Sequence, residues 1–209
     1  MFKHIITIHF TPKKKKKDHQ VVYGALEFLA EFQEGGCAAS VPSTNYQTSW
    51  MPPLPTRYKI NVDGAVFAAQ KLVGIGVIVR DSDGSLIGAC SKKLRFPLGA
   101  VEVEAKAVEF GLQFAKDSLI QDFILEGDSL VVFNALLEIS FPPSLIAVVI
   151  YGSLFASHEF CLVTFSHVHQ QGNYPAHLLA KHALGIDDYS VWIKEIPCFL
   201  EQAFLMDVM

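Results

Sequence analysis

The chain has 209 residues, of which 51% are hydrophobic and 18% are charged. This composition is typical of a globular protein, and the length predicts one domain with appendages. The formal net charge of −4 argues against a protein that binds nucleic acid through a bulk excess of positive charge. The four cysteines lie far apart and form no CxxC pair, so the sequence contains neither a zinc motif nor a disulfide framework and suits a reducing compartment.

The residues before position 58 predict an extension that precedes the core. Residues 1–10 are too short and too polar for a membrane span and lack the cleavage pattern of a secretory signal. We expect a soluble intracellular protein, a monomer, with no membrane partner. Five lysines at 13–17 suit a nuclear address or a phosphate-binding arm, although such runs are most often solvated. Residues 21–34 predict a short helix, and the prolines within 36–57 predict an extended linker.

The core is predicted over residues 58–184 and is followed by a tail over residues 185–209. Its first segment alternates apolar and polar residues, which is the period of a half-buried strand. Asp83 and Gly84 predict a hairpin turn, because this pair tolerates positive φ. Three consecutive antiparallel strands are therefore predicted, at 58–69, 72–80 and 85–93.

The second half of the core alternates helices with strands. Residues 144–157 fit either element, because their β-branched side chains favour a strand and their length favours a helix, and we predict a helix. Asn173 is the predicted N-cap of the last helix. A meander followed by this alternation predicts an α/β fold, with a mixed sheet covered by helices. The predicted helices are 101–119, 129–138, 144–157 and 174–184, and the further strands are 122–127 and 159–168.

Three carboxylates are the candidate site. Asp63 and Asp128 follow strand-like runs, and Glu104 lies on the apolar face of a predicted helix, where a lone charge is costly. Carboxylates gathered from separate elements repel one another unless a divalent cation neutralises them. The pattern therefore predicts bound Mg²⁺ or Mn²⁺ and metal-assisted phosphodiester chemistry. Taken singly, each residue also has a structural interpretation: Glu104 as an ion-pair partner, Asp128 as a helix N-cap and Asp63 as a turn residue.

A later segment, residues 165–180, makes a family resemblance specific. With the three carboxylates it gives the order and spacing of the type 1 ribonuclease H family, over residues 58–184. Within that family the chain most resembles the ribonuclease H-like domain of plant non-LTR retroelements and their domesticated relatives. The residues that carry the resemblance are Asp63 before Gly64, Glu104 before Ala105, Asp128 before Ser129, and then His167, Asn173, Ala176, Leu179 and Ala180.

The resemblance implies a ribonuclease H-like fold, with a five-stranded mixed sheet of three antiparallel strands and then parallel additions, flanked by helices. It implies a site of four acidic residues that holds two Mg²⁺ ions. Asp63 would bind both ions, Glu104 and Asp128 would each bind one, and His167 would lie on a mobile loop and assist proton transfer or product release. The implied partner is nucleic acid, an RNA–DNA hybrid whose RNA strand is cut to leave 5′-phosphate and 3′-hydroxyl ends.

One position departs from the family pattern. The fourth carboxylate of the family falls at position 177, where this chain has His177. Imidazole removes a negative charge and offers a softer nitrogen donor, so we expect one metal to be held less tightly or Mn²⁺ to be preferred. A zinc site built from His167, His169, His177 and His182 is a weaker alternative, because the spacing matches no structural zinc motif.

Two other classes of function remain open. One is a non-catalytic nucleic-acid-binding module, derived from a retroelement, in which the fold persists and cleavage is lost. The other is a partner-docking protein that acts through apolar residues of the tail, although these residues are more often expected to pack back on the core. The tail residues concerned are Trp192, Ile196, Pro197, Phe199, Leu200, Phe204 and Leu205.

Overall fold

The computed structural model describes residues 50–207. The predicted lysine run and the predicted helix 21–34 lie outside the described residues. In chain order the elements are strands β1 (Tyr58–Phe67), β2 (Leu72–Arg80) and β3 (Leu86–Leu94), helix α1 (Ala100–Asp117), strand β4 (Asp122–Gly127), helices α2 (Leu130–Leu136) and α3 (Ala147–Ser157), strand β5 (Leu162–His167), helix α4 (Tyr174–His182), strand β6 (Tyr189–Ile193) and helix α5 (Glu201–Asp207).

The strands form one sheet in the order β5-β4-β1-β2-β3-β6. The β1–β2, β2–β3 and β3–β6 pairs are antiparallel, and the β1–β4 and β4–β5 pairs are parallel. The predicted mixed α/β sheet, with an antiparallel meander and parallel additions, is confirmed. One detail was wrong, because the sheet has a sixth strand, β6, within the predicted tail. Its residues pair with the otherwise open edge of β3, from Gly88 opposite Ile193 to Lys92 opposite Tyr189.

Helices cover both faces of β1. On one face α1 comes so close that a Cβ added at Gly111 would lie 2.6 Å from Val62 Cγ1. On the other face α4 comes so close to β2 that a Cβ added at Gly76 would lie 2.1 Å from the carbonyl oxygen of Ala176. Glycine is the residue that permits such an approach of two backbones. The central strand is therefore held between two helices.

Two local predictions have different outcomes. The ambiguous segment 144–157 contains helix α3, as predicted. Asn173 is the N-cap residue of α4, as predicted, but its side chain makes no capping hydrogen bond. The Asn173 side chain is buried, and its Nδ2 donates to the carbonyl oxygen of Val62 at 2.9 Å. The amide therefore joins the start of α4 to β1 instead of capping the helix.

Residues on both sides of the predicted core pack against the sheet. Trp50 is buried, and its Nε1 donates to Asn61 Oδ1 at 3.2 Å. After the core, Leu200 is fully buried, and Trp192 and Phe199 pack against the same cluster, as expected for apolar residues of the tail. Among residues 50–207, no helix has the length and apolar character needed to cross a membrane.

Candidate metal centre

Asp63 lies in the middle of β1 and is 2% exposed. The sequence placed this residue at a strand end, which was wrong, because pairing with β2 carries β1 on to Phe67. Pairing with β4, however, stops at Asn61 opposite Glu126. Asp63 therefore lies two residues beyond the last β1–β4 pair, beside the carboxyl end of β4.

Glu104 comes from the first half of α1. The neighbouring residue Val103 packs on Gly64, where an added Cβ would lie 2.8 Å from Val103 Cγ1. The Glu104 carboxylate accepts a hydrogen bond from the backbone N–H of Gly64, the residue after Asp63. Close packing of α1 on β1 thus places the two carboxylates together.

Asp128 directly follows β4, and Ser129 is the N-cap residue of α2. The Asp128 side chain is thus not committed to the helix start. Ligand oxygens of Asp63, Glu104 and Asp128 all lie within 4.8 Å of one another. The sequence predicted that these three residues gather, and the structure brings them together. Such a separation is short enough for the three oxygens to share one cation.

The electrostatics of the cluster favour a cation. Burial and the negative charges of Asp63 and Asp128 raise the pKa of Glu104 from 4.5 to about 9. Burial, followed by the charge of Asp128, also raises the pKa of Asp63, which is about 6, although a hydrogen bond from His177 lowers it. Three charged carboxylates at this separation are unfavourable without a positive partner.

His177 supplies a partner on one side of the cluster. It lies in α4, and its Nδ1 is 3.0 Å from Asp63 Oδ2. This hydrogen bond raises the pKa of His177 above its usual 6.5. The ring also stacks on Tyr174, with 6.5 Å between the ring centroids. His177 therefore adjoins Asp63, at the position predicted for a fourth ligand.

His167 is placed differently from the expectation. It is the last residue of β5, in agreement with the predicted strand 159–168, whereas the family resemblance implied a mobile loop. The reason is the parallel ladder, because His167 pairs with Gly127 of β4. Its Nε2 lies 3.2 Å from the backbone carbonyl oxygen of Asp128. His167 is thus next to the residue that carries the third carboxylate.

The weaker zinc alternative fails on geometry. His182 lies at the other end of α4 and stacks on Phe199, with 4.5 Å between ring centroids and an interplanar angle of 5°. Within residues 50–207, the group of three or more ligand side chains close enough to hold an ion consists of the three carboxylates. The four histidines therefore form no metal cluster in this part of the chain.

The sequence missed a buried polar network next to the site. Lys59 Nζ lies 2.8 Å from Glu126 Oε1, and Asn61 Nδ2 donates to Glu126 Oε2 at 3.3 Å. Arg80 packs over the ring of Trp50, 3.7 Å from its centroid, and donates to Asn61 Oδ1 at 3.4 Å. The sequence feature that could have revealed the network is the row of Lys59, Asn61 and Asp63 on one face of β1. The alternation of apolar and polar residues alone assigns this face to solvent.

The family model described as reverse transcriptase-like matches residues 61–183. No curated protein matches the chain. Among solved structures, ribonuclease H1 of the halophilic archaeon Halobacterium salinarum NRC-1 has a TM-score of 0.58 at 22% identity, over 62% of this chain and 98% of that chain. The N-terminal RNase H domain of a Mycobacterium tuberculosis protein has a TM-score of 0.56 at 17% identity, over 62% and 94%.

LC11-RNase H1 in complex with an RNA/DNA hybrid has a TM-score of 0.56 at 17% identity, over 62% of this chain and 97% of that chain. These likenesses give the fold, which is ribonuclease H-like. The matched residues include all three carboxylates and exceed half of the 209 residues. The chain belongs to the reverse transcriptase-like family.

Proposed function

We propose that this chain is a metal-dependent nuclease that cuts the RNA strand of RNA–DNA hybrids. The single observation that carries the proposal is the meeting of Asp63, Glu104 and Asp128 oxygens within 4.8 Å. A ribonuclease H-like fold, which LC11-RNase H1 uses when it binds an RNA/DNA hybrid, supports the choice of substrate. From the sequence resemblance we further propose that the chain is related to the ribonuclease H-like domains of plant non-LTR retroelements.

The donor set fits Mg²⁺, with Mn²⁺ as the alternative. Asp63, Glu104 and Asp128 offer hard carboxylate oxygens, which both ions accept, and a softer histidine nitrogen lies on one side only. Bound ions of this kind activate a water molecule and stabilise the leaving 3′-oxygen in a phosphodiester displacement. We propose that the three carboxylates are ligands, and that His177 is a fourth one where a second ion binds.

The remaining roles follow from the contacts of each side chain. His177 holds the Asp63 carboxylate through its Nδ1, and the Asn173 amide fixes the neighbouring carbonyl oxygen of Val62. His167, beside Asp128, is proposed to assist proton transfer at the leaving group or product release. The side chains named here lie on β1, on β5 and at the start of α4. The packing of these elements therefore fixes their positions around the carboxylates.

Recognition of the hybrid would rest on groove shape and 2′-hydroxyl groups. Six basic residues near the meander are candidates in the sequence, but Lys59 and Arg80 are buried and serve the internal network. The other four are Lys71, Lys92, Lys93 and Arg95. Because the net charge is −4, we propose that the contact to phosphates is local.

Cleavage of a hybrid with a labelled RNA strand tests the proposal, in Mg²⁺ and in Mn²⁺. We expect products with 5′-phosphate and 3′-hydroxyl ends. Removing a residue that only supports a metal ligand lowers metal affinity or activity by about 10- to 100-fold. Asp63→Asn alters a ligand itself, so it should lower the cleavage rate at least about 100-fold. Glu109→Gln is the matched control, because Glu109 is an exposed carboxylate on α1 that pairs with Lys106. No cutting with either metal at high protein concentration would reject the proposal.

A second candidate is a nucleic-acid-binding module that does not cut. The observation in its favour is His177, which replaces the fourth carboxylate of the family pattern and already contacts Asp63. This candidate predicts that the wild-type chain binds the hybrid, measured by fluorescence anisotropy, while the hybrid stays intact in both metals. The same binding with metal-dependent cleavage rejects it.

A further inference from the structure

The exposed face of helix α4 lies beside the metal centre. Tyr174, His177 and Lys181 are three and four residues apart, a spacing that puts them in one row along the helix. Tyr174 is 41% exposed, Lys181 is exposed, and the side chain of His177 is 26% exposed. His177 is also the residue whose Nδ1 contacts Asp63 Oδ2. We name these three residues the α4 row.

Both ends of the α4 row adjoin the histidine that touches Asp63. The Tyr174 ring stacks on the His177 ring, with an interplanar angle of 21°. The hydrogen bond to Asp63 raises the pKa of His177, whereas burial and the positive charge of Lys181 lower it. The Lys181 ammonium group is therefore within electrostatic reach of the imidazole. An aromatic ring and a cation thus flank one side of the metal centre.

The start of α4 is anchored to the strand that carries Asp63. Asn173 is fully buried, and its Nδ2 donates to the carbonyl oxygen of Val62 at 2.9 Å. Pro175 is buried in the first turn of α4, where its fixed φ suits the helix. Tyr174 lies between these two residues. Its exposed ring is consequently held in one position relative to the carboxylates, as a preorganised substrate contact requires.

Lys181 is a cation that this side of the molecule offers to a polyanion. Residues 117–180, which supply Asp128, His167 and His177, contain no lysine or arginine. Within residues 50–207 the ion pairs do not include Lys181, so its charge is open to a phosphate group. The lysines of β1 and α1, by contrast, are all in ion pairs: Lys59 with Glu126, Lys106 with Glu109 and Lys116 with Glu159.

We propose that the α4 row binds the sugar–phosphate backbone of the hybrid next to the metal centre. Lys181 pairs with a phosphate group, and the Tyr174 ring packs on a sugar, because the bases of a duplex are covered by their own stacking. The two residues are about 10 Å apart along the helix axis, at about 1.5 Å per residue. This distance corresponds to about three nucleotides, at about 3.4 Å each along the duplex axis. The inference rests on the proposed function, since it names the surface that holds the same substrate.

Fluorescence anisotropy of a labelled hybrid tests the proposal, with the full chain in EDTA at several salt concentrations. Lys181→Met should weaken binding about 10-fold at about 50 mM salt and should make the salt dependence shallower by about one phosphate contact. Tyr174→Ala should weaken binding about 5-fold without a change in salt dependence, because the lost contact is apolar. Lys116→Met is the matched control, since the exposed Lys116 is paired with Glu159, and it should bind like the wild type. Equal melting temperatures exclude unfolding of the variants.

The α4 row fails as a binding surface if the wild-type chain does not bind the hybrid at about 100 µM. It also fails if Lys181→Met or Tyr174→Ala binds like the wild type, or if Lys116→Met loses as much affinity as Lys181→Met. Cleavage in Mg²⁺ or Mn²⁺ is a separate measurement. A hybrid that binds through Tyr174 and Lys181 but stays intact in both metals rejects the nuclease and supports the α4 row. A hybrid that is cut while both variants bind normally supports the nuclease and rejects the α4 row.

Discussion

His177 Nδ1 lies 3.0 Å from Asp63 Oδ2, across the contact between α4 and β1. The family pattern expects a second carboxylate at this place, so a hydrogen-bond donor faces Asp63 where repulsion would otherwise occur. The Asp63 side chain is 3% exposed, while that of His177 is 26% exposed. Histidine therefore supports the cluster without an ion, and it removes one negative ligand that an ion would use.

His177→Asp should strengthen metal binding. A fourth carboxylate adds an oxygen ligand and a negative charge, so we expect the affinity for Mg²⁺ to rise at least about 10-fold, as measured by titration calorimetry. Hybrid cleavage in Mg²⁺ should rise with it. In the absence of metal the variant should melt at a lower temperature than the wild type, because the introduced carboxylate would repel Asp63.

Two comparisons make this result specific. His177→Ala should weaken Mg²⁺ binding, since Asp63 loses the group that orients it. His158→Asp adds the same charge at an exposed position and should change neither quantity. Equal Mg²⁺ affinity for the wild type and His177→Asp would show that position 177 does not take part in the metal centre.

Glu104→Gln should separate stability from metal binding. The substitution keeps the shape of the side chain and matches the uncharged form of Glu104, whose pKa of about 9 leaves it protonated near pH 7 without metal. We expect the unfolding free energy without metal to stay equal or rise by about 1 kcal/mol, while the Mg²⁺-dependent rise in melting temperature disappears. Differential scanning calorimetry with and without Mg²⁺ measures both. Glu102→Gln, on the same helix, should keep the Mg²⁺-dependent rise in melting temperature. If Glu102→Gln also abolished this rise, Glu104 would have no specific role.

Neutralising one partner of the buried Lys59–Glu126 ion pair should lower the unfolding free energy. Their side chains are 4% and 2% exposed. Glu126→Gln leaves the Lys59 charge buried without its partner, for which we expect a loss of about 3–5 kcal/mol in urea unfolding. Lys59→Met combined with Glu126→Gln should recover much of this loss, because no unpaired charge remains.

The exposed pair of Lys106 and Glu109 is the matched control. The two side chains are 34% and 52% exposed, three residues apart on α1. A pair of this kind contributes about 0.2–1 kcal/mol, so Glu109→Gln should change stability by no more than that. Similar losses for Glu126→Gln and Glu109→Gln would mean that burial does not govern the energy of the Lys59 pair.

The candidate site could be predicted because one carboxylate conflicts with its local pattern and the other two follow strand-like runs. Glu104 lies among apolar positions of a helix, and such a conflict is visible in one sequence. The network behind the site could not be predicted. The alternation of apolar and polar residues shows that Lys59 and Asn61 share one face of β1. It does not show that α4 and Trp50 cover this face, because those contacts join separate parts of the chain.

The type of an element was predictable where its hydrophobic pattern extends over many residues. The short strand at the edge of the sheet was not predictable. Helix α1 was found within two residues at each end. Strand β6 was missed because five residues, Tyr189–Ile193, carry little periodicity and become a strand only by pairing with β3. His167 lies within the predicted strand 159–168, and its pairing with Gly127 of β4 keeps it in β5, so the loop that the resemblance implied was wrong.

His182 should make the fold sensitive to mild acid. Burial against Phe199 and Trp192 lowers the pKa of His182 below its usual 6.5. In the unfolded chain the imidazole takes up a proton near its usual pKa, so the unfolded state binds more protons as the pH falls. Stability from the neutral ring is present above about pH 6.5 and is lost as the pH falls towards the folded pKa.

His182→Phe keeps an aromatic ring beside Phe199 and removes the titration. We expect the variant to lose less unfolding free energy than the wild type between about pH 7 and about pH 5, measured by urea unfolding at each pH. If His182→Phe and the wild type lose stability in parallel, protonation of His182 is not what weakens the fold in acid. The contacts of α4 with β6 and Phe199 would then be independent of pH.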